Sequence, residues 1–254
     1  MCRLPGKWVW FELVTPDVRR SQAFHAEVLG WKVQPFPIGE QTYEVIFAAD
    51  AMIGAYAAQR AQRQSRWISA VSVADVERAV AEAVVLGGRP IEPISEVPGA
   101  GRRARLLDCQ GVEFTVSRNA MGDPPDTQSV PEGRWLWNEL HVPDAGRALD
   151  FYGRVIGYQH RSFGPGGGAP YVIFSRDGVD RAGVTSAGCP DVAPHWLPYV
   201  HVKDVDAAAA RARAAGGQVR KVEDIPGVGR IAAILEPAGA MLALLSPRPG
   251  LTAR

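Results

Sequence analysis

Glu139, His141, Tyr199 and His201 are the side chains of this chain best suited to chemistry. Residues 135–141 read Trp-Leu-Trp-Asn-Glu-Leu-His, and residues 195–201 read His-Trp-Leu-Pro-Tyr-Val-His. In extended backbone, side chains two apart share a face. Trp135, Trp137, Glu139 and His141 therefore fall on one face of the first stretch, and Leu197, Tyr199 and His201 on one face of the second. If those faces meet, Glu139, His141 and His201 supply one carboxylate and two imidazoles, a set that holds open-sided Fe, Zn or Mn. Without a metal, either imidazole could bind a ligand or take its proton, because histidine titrates near neutrality. The third reading is the commonest for an isolated histidine: a partly buried, hydrogen-bonded strand residue with no chemical role.

Residues 8–14 place Trp8, Trp10, Glu12 and Val14 on one face in the same way. Glu12 and Glu139 occupy equivalent slots. A carboxylate flanked by tryptophan loses hydration and could act as a base or ligand anchor; the alternative is a carboxylate bonded to backbone or to an arginine across a sheet. Trp10, Trp135 and Trp137 could stack on a flat ligand or simply fill space between a sheet and its helices. Trp67 and Trp196 have the opposite parity and are expected beneath helices. Arg60, Arg63 and Arg66 lie in a polar loop that could guide an anion but reads more simply as solvated surface. The Gly99–Arg102 and Gly227–Arg230 turns run into strands rather than helices, which removes a dinucleotide-loop reading.

These residues recur because the chain is duplicated. Residues 6–17 and 133–144 align at an offset of 127, matching Trp8, Trp10, Glu12, Leu13, Pro16 and Asp17 with Trp135, Trp137, Glu139, Leu140, Pro143 and Asp144. Phe24 meets Phe151, Gly30 meets Gly157, and Trp67 through Val76 meets Trp196 through Val205. A finer repeat lies inside each half: Asp17, Asp75, Asp144 and Asp204 each precede a helical stretch that ends at Gly30, Gly87, Gly157 and Gly216, with spacings of 13, 12, 13 and 12 residues. Asp can cap the first-turn amides and Gly can take the left-handed conformation that ends a helix. Each helix is followed by three short β-like runs, in the first half 31–36, 43–49 and 54–58, then 89–94, 103–108 and 112–117. The unit is strand–helix–strand–strand–strand, four times over. The Pro- and Gly-containing stretch 119–132 reads as a linker between domains at 1–118 and 133–254.

Composition narrows the function class. The 254 residues are 46% hydrophobic and 22% charged, as in a soluble globular protein. Lys+Arg 28 against Asp+Glu 27 leaves a net charge of +1, which argues against nucleic acid, whose binders need a basic surface. No apolar run approaches bilayer length and the start lacks a signal-peptide core, so no membrane partner and a cytoplasmic location are expected. Cys2, Cys109 and Cys189 are too few for a disulfide framework or a Cys-rich zinc site.

The order strand, Pro-Asp, helix, Leu-Gly-Trp, three strands resembles the vicinal-oxygen-chelate, or glyoxalase-like, superfamily, and the stretch 195–230 is similar to its tandem members of the glyoxalase/bleomycin-resistance/dioxygenase group. The resemblance spans about residues 6 to 247. It implies an α+β fold: two domains, each of two βαβββ units forming a curved mixed sheet around a cleft. Pairing within each half is favoured, with exchange between halves as the alternative. Metal-binding members carry ligands at positions that here hold Trp10, Ile68 and Thr115, or Trp137, Leu197 and Ala243, so the usual metal triad is missing from both halves. Any divalent metal would have to use Glu139, His141 and His201. The resemblance implies a small-molecule ligand and a monomer or homodimer. It leaves two functions open: a lyase, isomerase or oxygenase-like enzyme using Glu139, His141 and His201 with Trp10, Glu12, Trp135, Trp137 and Tyr199 around the substrate, or a non-catalytic protein that sequesters a drug or metabolite.

Overall fold

The computed structural model describes residues 2–38, 41–59, 64–164, 171–186 and 192–248. All four helices begin as the repeat predicts. The Oδ1 atoms of Asp17, Asp75, Asp144 and Asp204 accept from the amides of Arg20, Arg78, Arg147 and Ala207 at 2.9–3.1 Å. Gly30, Gly87, Gly157 and Gly216 follow the last turns with φ between 69° and 84°. Helices α1 (Val18–Leu29), α2 (Val76–Val85), α3 (Ala145–Val155) and α4 (Val205–Ala214) result.

The first half supplies β1 (Trp8–Thr15), β2 (Lys32–Ile38), β3 (Gln41–Ala48), β4 (Ala51–Ala58), β5 (Arg66–Ser72), β6 (Arg89–Pro90), β7 (Ser95–Val97), β8 (Gly101–Leu107) and β9 (Glu113–Asn119). The second supplies β10 (Trp135–His141), β11 (Gln159–Phe163), β12 (Tyr171–Arg176), β13 (Val179–Thr185), β14 (His195–His201), β15 (Gln218–Ile225), β16 (Gly229–Leu235) and β17 (Met241–Pro247). Of the expected run 89–94 only Arg89–Pro90 forms a strand, β6, and β7 follows beyond it, since Pro90 and Pro93 have no amide to give a neighbouring strand.

Each half builds its own curved mixed sheet. The strand orders are β2-β3-β4-β1-β5-β9-β8-β6, with β7 on β8, and β11-β12-β13-β10-β14-β17-β16-β15. The units therefore pair within halves: β1 runs antiparallel to β5 and β10 to β14, while β4, β9, β13 and β17 add in parallel. One face of each sheet carries helices and the other lines the cleft.

The helix layers of the two halves meet in one core. Helix α1 packs on α4 and α2 on α3. Phe24 and Phe151, the same position in the two copies, each reach across the interface and lie against the second glycine of a Gly-Gly pair. A Cβ at Gly217 would come within 2.6 Å of Phe24 Cε2, and one at Gly88 within 3.0 Å of Phe151 Cε2. Trp31 Nε1 donates to Gly133 O at 2.7 Å, and Gln110 and Asp144 exchange hydrogen bonds. The stretch after β9 is strapped down: Asp123 accepts from Leu4 N and Ser72 Oγ at 2.6 Å, and Lys7 Nζ donates to Pro124 O and Pro125 O.

Candidate functional site

A β-bulge decides which tryptophans face the clefts. Trp8 lies opposite Val71, yet Trp10 lies opposite Ala70; Trp135 lies opposite Val200, yet Trp137 lies opposite Tyr199. Adjacent residues point to opposite faces, so the extra residue in β1 and β10 turns Trp8 and Trp135 to the helix side. There Trp8 packs on Trp196 and Trp135 on Phe11, both pairs with ring centroids 4.4 Å apart. The expectation that Trp135 floors the second cleft is thus corrected: simple alternation does not survive a bulge. Trp10 and Trp137 do take the cleft side. Trp67 and Trp196 are buried on the helix side, as parity indicated.

In the second cleft, β10 and β14 bring Glu139, His141 and Tyr199 together. His141 Nε2 lies 2.7 Å from Glu139 Oε1, a close contact without hydrogen-bond alignment. Tyr199 Oη donates to the same oxygen at 3.2 Å. Tyr171, which sequence reasoning did not single out, completes the cluster from β12. Its hydroxyl accepts from Trp137 Nε1 at 2.9 Å and also engages Glu139. The ring crosses β13 because residue 183 is glycine; a Cβ there would overlap the Tyr171 hydroxyl. Burial, and then the Glu139 charge, push both phenols well above the ordinary tyrosine range, so both remain protonated donors. Glu139 and His141 keep side-chain exposures of 13% and 20%, enough to meet a ligand.

The second imidazole of the site is His195. The antiparallel register puts it opposite His141, and the rings stack with centroids 5.0 Å apart and planes 4° apart. Its Nδ1 lies 2.8 Å from Ala193 O. Burial holds the His195 pKa below the ordinary 6.5, against the raising effect of that carbonyl, and the neighbouring His141 lowers it further. Counting back by two from Tyr199 and Leu197 would have found it. His201 does not belong to this set. Six residues along β14 from His195, it is roughly 20 Å away at strand rise. Its Nδ1 contacts Val130 O at 2.7 Å and its backbone pairs with Gly133 and Arg134. The grouping of Glu139, His141 and His201 is therefore corrected.

The first cleft is crossed by charge. Arg105 on β8 pairs with Glu12 and approaches Glu113 at 3.7 Å and Glu92 at 3.6 Å, while Arg66 Nε donates to Glu113 at 2.7 Å. Glu12 thus faces the cleft as expected, but bound to an arginine across the sheet. The space left beside Arg105 is about 10 Å³, room for one water. Arg60 and Arg63 lie outside the described residues.

Residues 136–244 match the profile of the Glyoxalase/Bleomycin resistance protein/Dioxygenase superfamily, and residues 7–43 that of a Bleomycin resistance protein-like N-terminal region. CFP32 of Mycobacterium tuberculosis, named as a glyoxylase in a form its name marks as provisional, is 31% identical over 94% of both chains. The chain belongs to the glyoxalase/bleomycin-resistance/dioxygenase superfamily. The anthracycline biosynthesis protein DnrV of Streptomyces peucetius is 28% identical over 98% of this chain and 96% of its own. Two solved structures share the fold at TM-score 0.66. They are the Mn(II)-bound glyoxalase of Novosphingobium aromaticivorans (17% identity, 97% of this chain and 83% of that one) and the 2,3-dioxygenase LapB of Pseudomonas sp. KL28 (13%, 98% and 96%).

A divalent metal does not fit this member of the superfamily at the positions the resemblance implies. Trp137, Leu197 and Ala243 occupy them, and all three belong to an apolar floor with Tyr199, Ile231 and Leu245. Nor do the imidazoles offer another set. Lone pairs of two parallel stacked rings run side by side and do not converge on a point about 2.1 Å from each. Among the described residues, no three His, Cys, Asp or Glu side chains are grouped to hold a metal. No helix among them is long and apolar enough to cross a membrane.

Proposed function

We propose that this superfamily member is an enzyme that moves a proton on a small organic molecule, next to a carbonyl, in the cleft of its 133–254 domain. The 1–118 domain serves as a structural partner. The contact between Glu139 and His141 carries the reading. A carboxylate oriented by two phenols and set against an imidazole can accept a proton and pass it on. Trp137, Tyr171 and Tyr199 surround that pair with aromatic surface suited to a planar substrate. The names of CFP32 and DnrV add support, since both attach this architecture to small-molecule chemistry.

The test is hydrogen–deuterium exchange of small hydroxyketones and 1,3-diketones, followed by proton NMR with wild-type, Glu139→Gln, His141→Phe and His201→Ala proteins. Exchange promoted by the wild type should fall about a hundredfold in the first two variants and stay unchanged in the third. Equal exchange in all four proteins refutes the reading.

A second reading, sequestration without chemistry, is favoured by the bleomycin-resistance-like match over residues 7–43. It expects a hydroxyanthraquinone to bind stoichiometrically, to be recovered unchanged, and to lose affinity with Trp137→Ala.

A further inference from the structure

Outside both clefts, a pocket of about 230 Å³ lies between the two sheets beneath residues 124–131, walled by the starts of β1 and β10 and by β4 and β13. We propose that it is a second ligand site, for a monocyclic aromatic carboxylate. The argument rests on how the pseudo-twofold symmetry fails there.

Three equivalent pairs differ. Trp135 Nε1 donates to Ile53 O at 2.8 Å, whereas its counterpart Trp8 Nε1 is buried with no partner. Phe11 stacks on Trp135. Its counterpart is Asn138, 1% exposed, with neither Oδ1 nor Nδ2 hydrogen-bonded. Ile53 precedes the residue paired with Phe11; the residue in that place on β13 is Arg181, whose side chain is 7% exposed and whose Nε has no partner. Exchanging Phe for Asn empties volume, and exchanging Ile for Arg adds charge beside it. Buried donors left unmatched lose their hydration without return, so all three features point to a polar occupant.

The lining defines that occupant. Among the buried side-chain atoms of the lining residues, Trp8 Nε1, Asn138 Nδ2, Arg181 Nε and Arg134 Nε are donors without a partner, against the one acceptor Asn138 Oδ1. Lys7 and Arg181 share one anion: Asp126 meets Lys7 at 3.0 Å and Arg181 at 2.7 and 3.0 Å. The other charges on the wall are already paired, Arg134 with Asp50 at 3.1 Å and Asp180 with Arg161 at 2.6 Å. One surplus positive charge and a majority of donors select an anion rich in acceptors. Trp8, Phe11 and Trp135 offer it an aromatic wall. The volume is below the roughly 300–1,000 Å³ of drug-sized pockets, which limits the ligand to about one ring.

Benzoate is the probe, titrated calorimetrically into the full chain, with benzyl alcohol as the uncharged control. Saturable benzoate binding is expected, at least about tenfold tighter than benzyl alcohol. It should weaken at least about tenfold in Arg181→Ile and Asn138→Phe, which restore the residues of the other half, and remain unchanged in Glu139→Gln. Should Asn138→Phe fail to fold, Asn138→Ala makes the same comparison. The proposal is overturned if benzoate does not saturate the wild type, if Arg181→Ile leaves its affinity intact, or if Glu139→Gln weakens it equally. That last result would move the ligand to the cleft, and loss of proton exchange in Glu139→Gln is a separate measurement.

Discussion

His141 and His195 stack face to face across β10 and β14, with ring planes 4° apart, and only one of them touches Glu139. This asymmetry gives the imidazoles different tasks. His141 shares the carboxylate, while His195 is the imidazole less ready to take a proton, since burial first, and then the adjacent His141, disfavour its charge. An NMR titration should show His195 more than half neutral at pH 6.5, where an ordinary histidine is half protonated, and His141→Ala should raise its midpoint. A His195 midpoint at or above the ordinary value in the wild type would contradict this.

His25 gives the fold an acid sensitivity. It is fully buried among Phe24, Trp31, Trp67 and Tyr56, with Nδ1 3.0 Å from Tyr56 Oη, and burial lowers its pKa to about 3. The unfolded chain takes up this proton below about 6.5 and the folded chain does not. Its contribution is therefore whole above about 6.5 and is lost as pH falls toward about 3. At about 1.4 kcal/mol per pH unit the full loss is roughly 5 kcal/mol. Asp108 and Glu236, raised by burial, act in the opposite sense. The measurement is accordingly a comparison: urea unfolding of wild type and His25→Phe from pH 7 to pH 4, in which the difference should shift steadily in favour of the variant as the pH drops.

Gly217→Ala should destabilise the protein by about 1–3 kcal/mol, because its new methyl group would meet the Phe24 ring. Gly178→Ala has open space around it and tests only the cost of positive φ. Thermal unfolding of the two variants separates packing from backbone strain, and a Gly217→Ala protein as stable as wild type would show that the interface gives way freely.

Arg105→Met should cost roughly 3 kcal/mol by leaving Glu12 and Glu113 without their shared cation in a largely buried cleft. Adding Glu12→Gln should recover part of that loss. If the double variant is no more stable than Arg105→Met in denaturant unfolding, Glu12 and Arg105 are not coupled.

How far the fold could be read in advance follows from which interactions are local. Helix starts at Asp17, Asp75, Asp144 and Asp204 depend on a side chain reaching an amide three residues on, so spacing alone reveals them. Pairing of β1 with β5 and of β10 with β14 is favoured by the connections, but exchange between the halves is the alternative, and the observed register decides between them. The candidate site was legible at Glu139, His141 and Tyr199, whose alternation lies beyond the bulge. It was not legible at Tyr171, which enters only because a strand away residue 183 lacks a side chain; at His195 the alternation marks the face, and only the cross-strand register places it opposite His141.

Sequence by itself therefore determined the fourfold unit, its caps and the absence of ligating side chains at Trp137, Leu197 and Ala243, because each rests on residue type or on contacts a few positions apart. Tertiary structure alone decided that the two units of each half pair with one another, that Trp8 and Trp135 leave the clefts, that His195 rather than His201 stacks on His141, and that Asn138 and Arg181 share the wall of one pocket with their counterparts Phe11 and Ile53. A one-residue bulge inverts every side chain on one side of it, and the fit of two helix layers depends on atoms more than a hundred residues apart, so neither leaves a local trace in the chain.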